Sequence, residues 1–146
     1  MGRERPASVR NAIRVQAALV LVSGLTTMLT VVRRHDLVES WSTRQPSAQP
    51  PAFAPVAVVL FLTFALLVAV LVVFFRDGHP SARWSLTGLA VFYAITMLAV
   101  YRLDPPALFL ALAAVSAVLD VAVVYFLWHR DTSAFLRAAP AGSSAI

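Results

Sequence analysis

The 146-residue chain contains no cysteine, no lysine and only seven acidic side chains. Without cysteine it forms no disulfide, no thiolate metal site and no redox-active thiol. It shows no Ser/His/Asp set, no glycine loop suited to phosphate and no pair of carboxylates within one apolar segment, so hydrolase, NTPase and kinase chemistry have no sequence support. The sequence therefore predicts a protein that is not an enzyme, with no catalytic residue and no cofactor.

Apolar residues dominate the composition. They make up 60% of the chain, charged residues only 13%, and the mean hydropathy is +0.78. Four apolar runs are each long enough, at about 1.5 Å per helical residue, to cross a hydrocarbon core of about 30 Å. These runs cover residues 12–32, 55–75, 84–103 and 107–128. We predict an all-α fold, a four-helix transmembrane bundle of up-down-up-down topology.

The polar segments around these runs define the remaining organisation. Residues 1–11 form a basic segment, residues 12–130 the four-span domain, and residues 131–146 a tail too short and polar to build a core. The longest connection follows the first run, and there the stretch from His35 to Arg44 has the length and pattern of a short amphipathic helix. We expect the first and fourth spans to pack together and the second, almost purely apolar span to face lipid most.

All twelve basic side chains are arginine, and the formal net charge is +5. The arginines flank the apolar runs instead of forming a basic face interleaved with aromatic residues, which argues against nucleic acid and for the lipid bilayer as partner. With a cytoplasmic amino terminus, the cytoplasmic side carries about twice as many arginines as the other side. The prediction is a multi-pass protein of the cell membrane with both termini cytoplasmic.

Asp120 is the one charged side chain inside the fourth run, just past its middle. An unpaired charge at that depth costs between about 2.5 and about 15 kcal/mol, so neighbouring spans must shield it. Two interpretations remain open. The carboxyl group is either a proton or cation site, or a structural group that fixes helix register through hydrogen bonds to Ser116, Tyr93 or polar residues of the first span.

Further polar side chains have helical spacing. One stripe along the first helix carries Gln16, Ser23, Thr27, Thr30 and Arg34, which suits hydrogen bonds between helices or, alternatively, a hydrated pathway. In the third span, Ser85, Phe92 and Thr96 share a face with Gly88 and Ala99 close by, and we expect this face to turn inward. In the fourth span we expect Ala113, Ser116, Ala117 and Asp120 to share the packing face. Together the candidate intramembrane polar site is Asp120, Ser116, Gln16, Ser23, Thr27, Tyr93 and Thr96.

The three histidines, His35, His79 and His129, lie at predicted membrane boundaries, where histidine is common for interfacial reasons alone. No metal site is predicted. The leading functional hypothesis is a non-enzymatic packing or accessory module that self-associates or binds another membrane protein. The alternative is a small transporter or channel with a proton or cation site at Asp120.

Two segments, GHPSARWSLTGLAVFYAITML and LWHRDTSAFLRA, resemble the third-helix entry and fourth-helix exit of small four-span membrane proteins common in actinobacteria. The shared residues are Arg83, Trp84, Thr87, Trp128, Arg130, Asp131, Ser133, Ala134 and Phe135. The absence of lysine, with heavy use of alanine, valine and leucine, is similarly typical of GC-rich bacterial genomes. The resemblance implies the four-span fold and no particular activity.

Overall fold

The computed structural model describes residues 6–44, 46–47, 49–50, 52–101 and 105–138. In this part of the chain there are six helices and no strand. The helices are α1 (Ala7–Val32), α2 (Arg34–Arg44), α3 (Phe53–Arg76), α4 (Pro80–Tyr101), α5 (Ala107–Trp128) and α6 (Arg130–Ala138). Four of them, α1, α3, α4 and α5, are long and apolar enough to cross a membrane, which confirms the predicted all-α bundle. Residues 102–104, where the third predicted run ends, lie outside the described residues.

The four long helices pack in a closed square. The most extensive contact joins α1 to α5, and α1 also packs on α3, while α4 packs on both α5 and α3. Helices α1 and α4 are therefore diagonal to one another. The predicted pairing of the first and fourth spans is confirmed, and α3 has the smallest buried share of the four, as expected for the span that faces lipid most.

One seam of α5 faces the centre of the square. The spacing along this seam alternates between four and three residues, the pattern of left-handed helix packing. Its buried residues are Phe109, Ala113, Ser116, Asp120, Val123 and Leu127. Ala117 is exposed, so its predicted place on the packing face is wrong. A seam this narrow buries Ser116 and turns the next residue about 100° away from it.

The inward face of α4 also differs from the prediction. Ser85 and Phe92 are exposed, Gly88 is exposed with them, and Thr96 is half-buried with its hydroxyl bonded to the Phe92 carbonyl at 2.9 Å. The opposite side of the helix enters the core through Ala82, Leu86, Ala90 and Tyr93. That seam, two of whose residues are alanine, lets α4 approach the neighbouring helices, and the face with Ser85, Gly88 and Phe92 points away from the bundle.

Two short helices flank the spans. Helix α2 begins one residue before the predicted amphipathic segment and ends where it was expected to end. Helix α6 was not expected, because the tail was predicted to add nothing to a core. Its residues Thr132 and Leu136 are nevertheless buried, one helical turn apart on the side that faces the spans.

The core consists of two apolar clusters at different depths. The first lies at the end of the bundle where α1 begins and α5 ends, and it comprises Val9, Ala12, Phe75, Ala82, Leu86, Val123, Leu127 and Leu136. The second lies deeper in the bundle and comprises Leu19, Phe64, Val68 and Tyr93. Two of the buried polar side chains, Gln16 and Asp120, lie at the level between these clusters.

Candidate functional site

Gln16 and Asp120 lie at the boundary between the two apolar clusters. On α1, Gln16 stands between Ala12 of the first cluster and Leu19 of the second. On α5, Asp120 precedes Val123 of the first cluster and follows Leu119, which packs against the second. Both side chains are 5% exposed. Since α1 and α5 run antiparallel and pack closely, this boundary forms a polar layer within an apolar core.

The carboxyl group of Asp120 is buried without a hydrogen-bond partner for one of its oxygens. Oδ1 is inaccessible and accepts no hydrogen bond from any part of the chain that the structure describes. A buried acceptor left unpaired costs about 1–3 kcal/mol. The seam of α5 holds the group in place because its apolar neighbours Val123 and Leu127 are only 1% exposed.

The other predicted polar residues occupy different surroundings. Ser116 and Ser23 are buried, at 1% and 8% exposure, whereas Thr27 is only half-buried. The ring of Tyr93 stacks on Phe64, with centroids 4.9 Å apart and planes inclined by 25°. The structure thus brings Gln16, Ser23, Ser116, Tyr93 and Asp120 into one bundle interior, with Thr27 and Thr96 at its margin.

A small cavity lies beside the polar layer. Its volume is about 10 Å³, and its lining comes from all four spans: Ala12, Ile13, Gln16, Val72, Phe75, Leu86, Val123 and Leu127. A space of this size holds about one water molecule. Gln16 is the only polar side chain in that lining, so the walls of this cavity are mainly apolar.

A second concentration of polar groups lies where α4 begins and α5 ends, a region we call the membrane-surface corner (Arg83, Trp84, Thr87, Trp128, Ser133 and Arg137). The guanidinium carbon of Arg83 is 3.8 Å from the ring centroid of Trp128, and its Nη1 donates to the Ser133 hydroxyl at 3.1 Å. Trp128 in turn donates from Nε1 to Thr87 Oγ1 at 3.1 Å and meets Trp84 edge to face at 4.8 Å. Residues separated by about fifty positions therefore form one connected network.

Arg137 completes this corner. Its Nε donates to the Ser133 carbonyl at 3.2 Å, so both guanidinium groups converge on one residue of α6. The sequence marks Arg83, Trp84 and Trp128 as interfacial residues but gives no sign that they contact Ser133 or Arg137. The available signal was the amphipathic spacing of Thr132 and Leu136, which predicts that the tail packs against the bundle.

Thr132 anchors that tail. Its side chain is fully buried, and its hydroxyl lies 2.9 Å from the Phe126 carbonyl and 3.0 Å from the Ser8 hydroxyl. Ser8 belongs to the first turns of α1, so this contact ties the start of the chain's first span to the helix after its last one. Both ends of the four-span bundle consequently lie on the same side, in agreement with an even number of crossings.

No group of three or more histidine and acidic side chains comes together within the described ranges. Comparison with known proteins finds no matching family model, no matching curated protein and no matching solved structure. Function must therefore be inferred from the geometry of the chain's own residues.

Proposed function

We propose that this protein is a non-enzymatic membrane module that self-associates through the outer face of α4, defined as Ser85, Gly88, Phe92, Thr96 and Ala99. The observation that carries the proposal is the position of Gly88. A β-carbon added there would meet nothing within 4 Å, and the residue is exposed. Glycine in a helix interior costs about 1 kcal/mol relative to alanine, and no close contact with another described residue offsets this cost.

Gly24 on α1 shows what an intramolecular role for glycine looks like. A β-carbon there would lie 3.2 Å from Cζ of Phe61 on α3, so the close approach of these two helices depends on glycine. At Gly88, in contrast, no described residue of another helix lies close enough to require glycine. In membranes, small residues allow helices to approach closely, and this advantage requires a second helix.

The rest of the outer face is suited to a second copy of the chain. Phe92, which is 63% exposed, is one helical turn from Gly88 and presents a large ring beside a small residue. Across a two-fold axis, the ring of one protomer meets the glycine of the other, and the reverse contact forms at the same time. Ser85 adds a hydroxyl that can bond across helices. The small size and the mainly apolar lining of the cavity beside the polar layer support a module more than a conduit.

The test is energy transfer between donor- and acceptor-labelled copies in liposomes of increasing lipid-to-protein ratio. G88L places a bulky side chain on the outer face, and we expect it to weaken association by about tenfold or more, equivalent to about 1.4 kcal/mol. A69L, at an exposed position of α3, is the matched control and should associate as the unmodified protein does. Equal association of G88L and the unmodified protein would contradict the proposal.

Asp120 supports a second candidate function, that of a proton or cation site. Its buried, unpaired Oδ1 lies in the polar layer opposite Gln16, and intramembrane carboxyl groups commonly serve ion pathways. D120N keeps the shape of the side chain and removes its titration. If the site transfers protons, liposomes containing D120N should lose the proton flux seen with the unmodified protein. Equal flux from both proteins, measured with an internal pH dye, would eliminate this function.

A further inference from the structure

We infer that the membrane-surface corner binds a phosphate group, presented by the head group of an anionic lipid or by phosphate in solution. This site is independent of the outer face of α4 and of Asp120. It is built from two arginines that meet at Ser133, with Arg83 Nη1 3.1 Å from the serine hydroxyl and Arg137 Nε 3.2 Å from its carbonyl.

The charges at this corner are unbalanced. Arg83 and Arg137 both bond to Ser133, and neither forms an ion pair with a carboxylate in the part of the chain the structure describes. The nearest acid along α6, Asp131, lies instead 3.4 Å from His129 Nδ1. Two guanidinium groups that approach one another without an anion repel each other. A bound phosphate would attract both groups and would outweigh this repulsion.

The guanidinium of Arg83 is held in one orientation. Its Nη1 bonds Ser133, and its Nε is buried without a hydrogen bond in the part of the chain that the structure describes. The stacking of this guanidinium on Trp128, at 3.8 Å from the ring centroid, fixes its plane. Arginine recognises phosphate through a planar guanidinium of fixed orientation, and this corner supplies such a group beside Arg137.

The depth of the corner matches that of lipid phosphates. Arg83 lies in the first turn of α4, Trp128 is the last residue of α5, and both helices are long enough to span the bilayer. The indole rings of Trp84 and Trp128 are 66% and 41% exposed, as in residues that lie at the level of lipid head groups. Arg83 stacks on Trp128 and bonds α6, so its guanidinium lies at the depth of the lipid phosphate groups.

The experiment measures lipid retained by the purified, delipidated protein after incubation with phosphatidylglycerol, using native mass spectrometry. The unmodified protein should retain phosphatidylglycerol over phosphatidylcholine, and both R83Q and R137Q should lower its affinity by about tenfold. The matched control is R130Q. It removes an exposed arginine of α6, the helix that contains Arg137, and this arginine makes no side-chain bond to Ser133. Helicity by circular dichroism confirms folding, and R83K, which keeps the charge without the planar fork, should lose affinity as well.

A second arm separates the two sources of phosphate. The competitor is inorganic phosphate at about 10 mM, a concentration high enough to occupy a weak anion site. If it displaces phosphatidylglycerol, the corner accepts phosphate from solution. If it does not, the lipid is the ligand. Either result supports the site when R83Q and R137Q are impaired. Undiminished binding by both variants, or an equal loss with R130Q, would overturn it.

Discussion

The contact between Ser8 and Thr132 should contribute measurably to stability, because it joins the first span to α6 at a site closed to solvent. Thr132 is 0% exposed and Ser8 is 5% exposed. Valine at position 132 keeps the shape of threonine but removes the hydroxyl. The Ser8 hydroxyl then loses this partner, and the Phe126 carbonyl keeps the His129 N–H at 3.4 Å. A buried polar group deprived of its partner costs about 1–3 kcal/mol, so T132V should fall in that range.

A double-mutant cycle with S8A isolates the contact itself. S8A should cost less than T132V, because Thr132 retains its hydrogen bond to the Phe126 carbonyl at 2.9 Å. The coupling energy between the two positions should be about 1 kcal/mol. The assay is reversible unfolding in mixed micelles with increasing sodium dodecyl sulfate, followed by far-ultraviolet circular dichroism.

Thr43 provides the control for this cycle. It lies exposed on α2, and its hydroxyl bonds only the Glu39 carbonyl of the same helix. T43V should change the free energy of unfolding by no more than about 0.5 kcal/mol. A T132V effect as small as that of T43V, or a coupling energy of zero between positions 8 and 132, would refute the proposed anchoring of α6.

Three further predictions concern packing and topology. G24L should destabilise the bundle by about 1–3 kcal/mol, because a β-carbon at that position already lies 3.2 Å from a ring of α3. G88L should not destabilise it and should gain up to about 1 kcal/mol from the higher helix propensity of leucine, so equal effects in the same micelle titration would contradict this assignment. F75A removes a side chain that is 1% exposed and should cost about 3 kcal/mol or more, and a loss below about 1 kcal/mol would show that the first apolar cluster is not closely packed. Because the chain has no cysteine, S47C and S81C each introduce a single thiol at opposite ends of the bundle. In intact cells an impermeant maleimide should label S47C but not S81C, and the reverse result would invert the orientation predicted from the arginines.

The membrane class was predictable from local properties of the sequence, whereas α1 and α4 begin five and four residues before the predicted runs 12–32 and 84–103. The fourth predicted run, 107–128, has the same limits as α5, because Pro105 and Pro106 precede it and polar residues follow it. Apolar runs of this length satisfy their backbone hydrogen bonds only as helices within a bilayer, so composition alone restricts the fold to a helical bundle. The polar character of the first span likewise indicated correctly that its Gln16 and Ser23 turn inward.

Which face of each helix turns inward was not predictable in the same way. Within a bilayer, the hydrophobic effect does not drive apolar side chains from lipid into the protein core. A face of small residues can therefore pack against a helix of the same chain or of another chain equally well. This is why the side of α4 with Ser85 and Phe92 was assigned to the core although it lies outside.

The tertiary structure alone decided two features on which the proposed functions depend. It placed Asp120 in a layer between two apolar clusters, where Oδ1 is buried and unpaired in the described part of the chain. It also folded the tail back, so that Ser133 and Arg137 join Arg83 at the membrane surface. Both features arise from contacts between distant positions. Local sequence fixes where a helix runs, but the neighbours that a side chain meets depend on how separate helices pack.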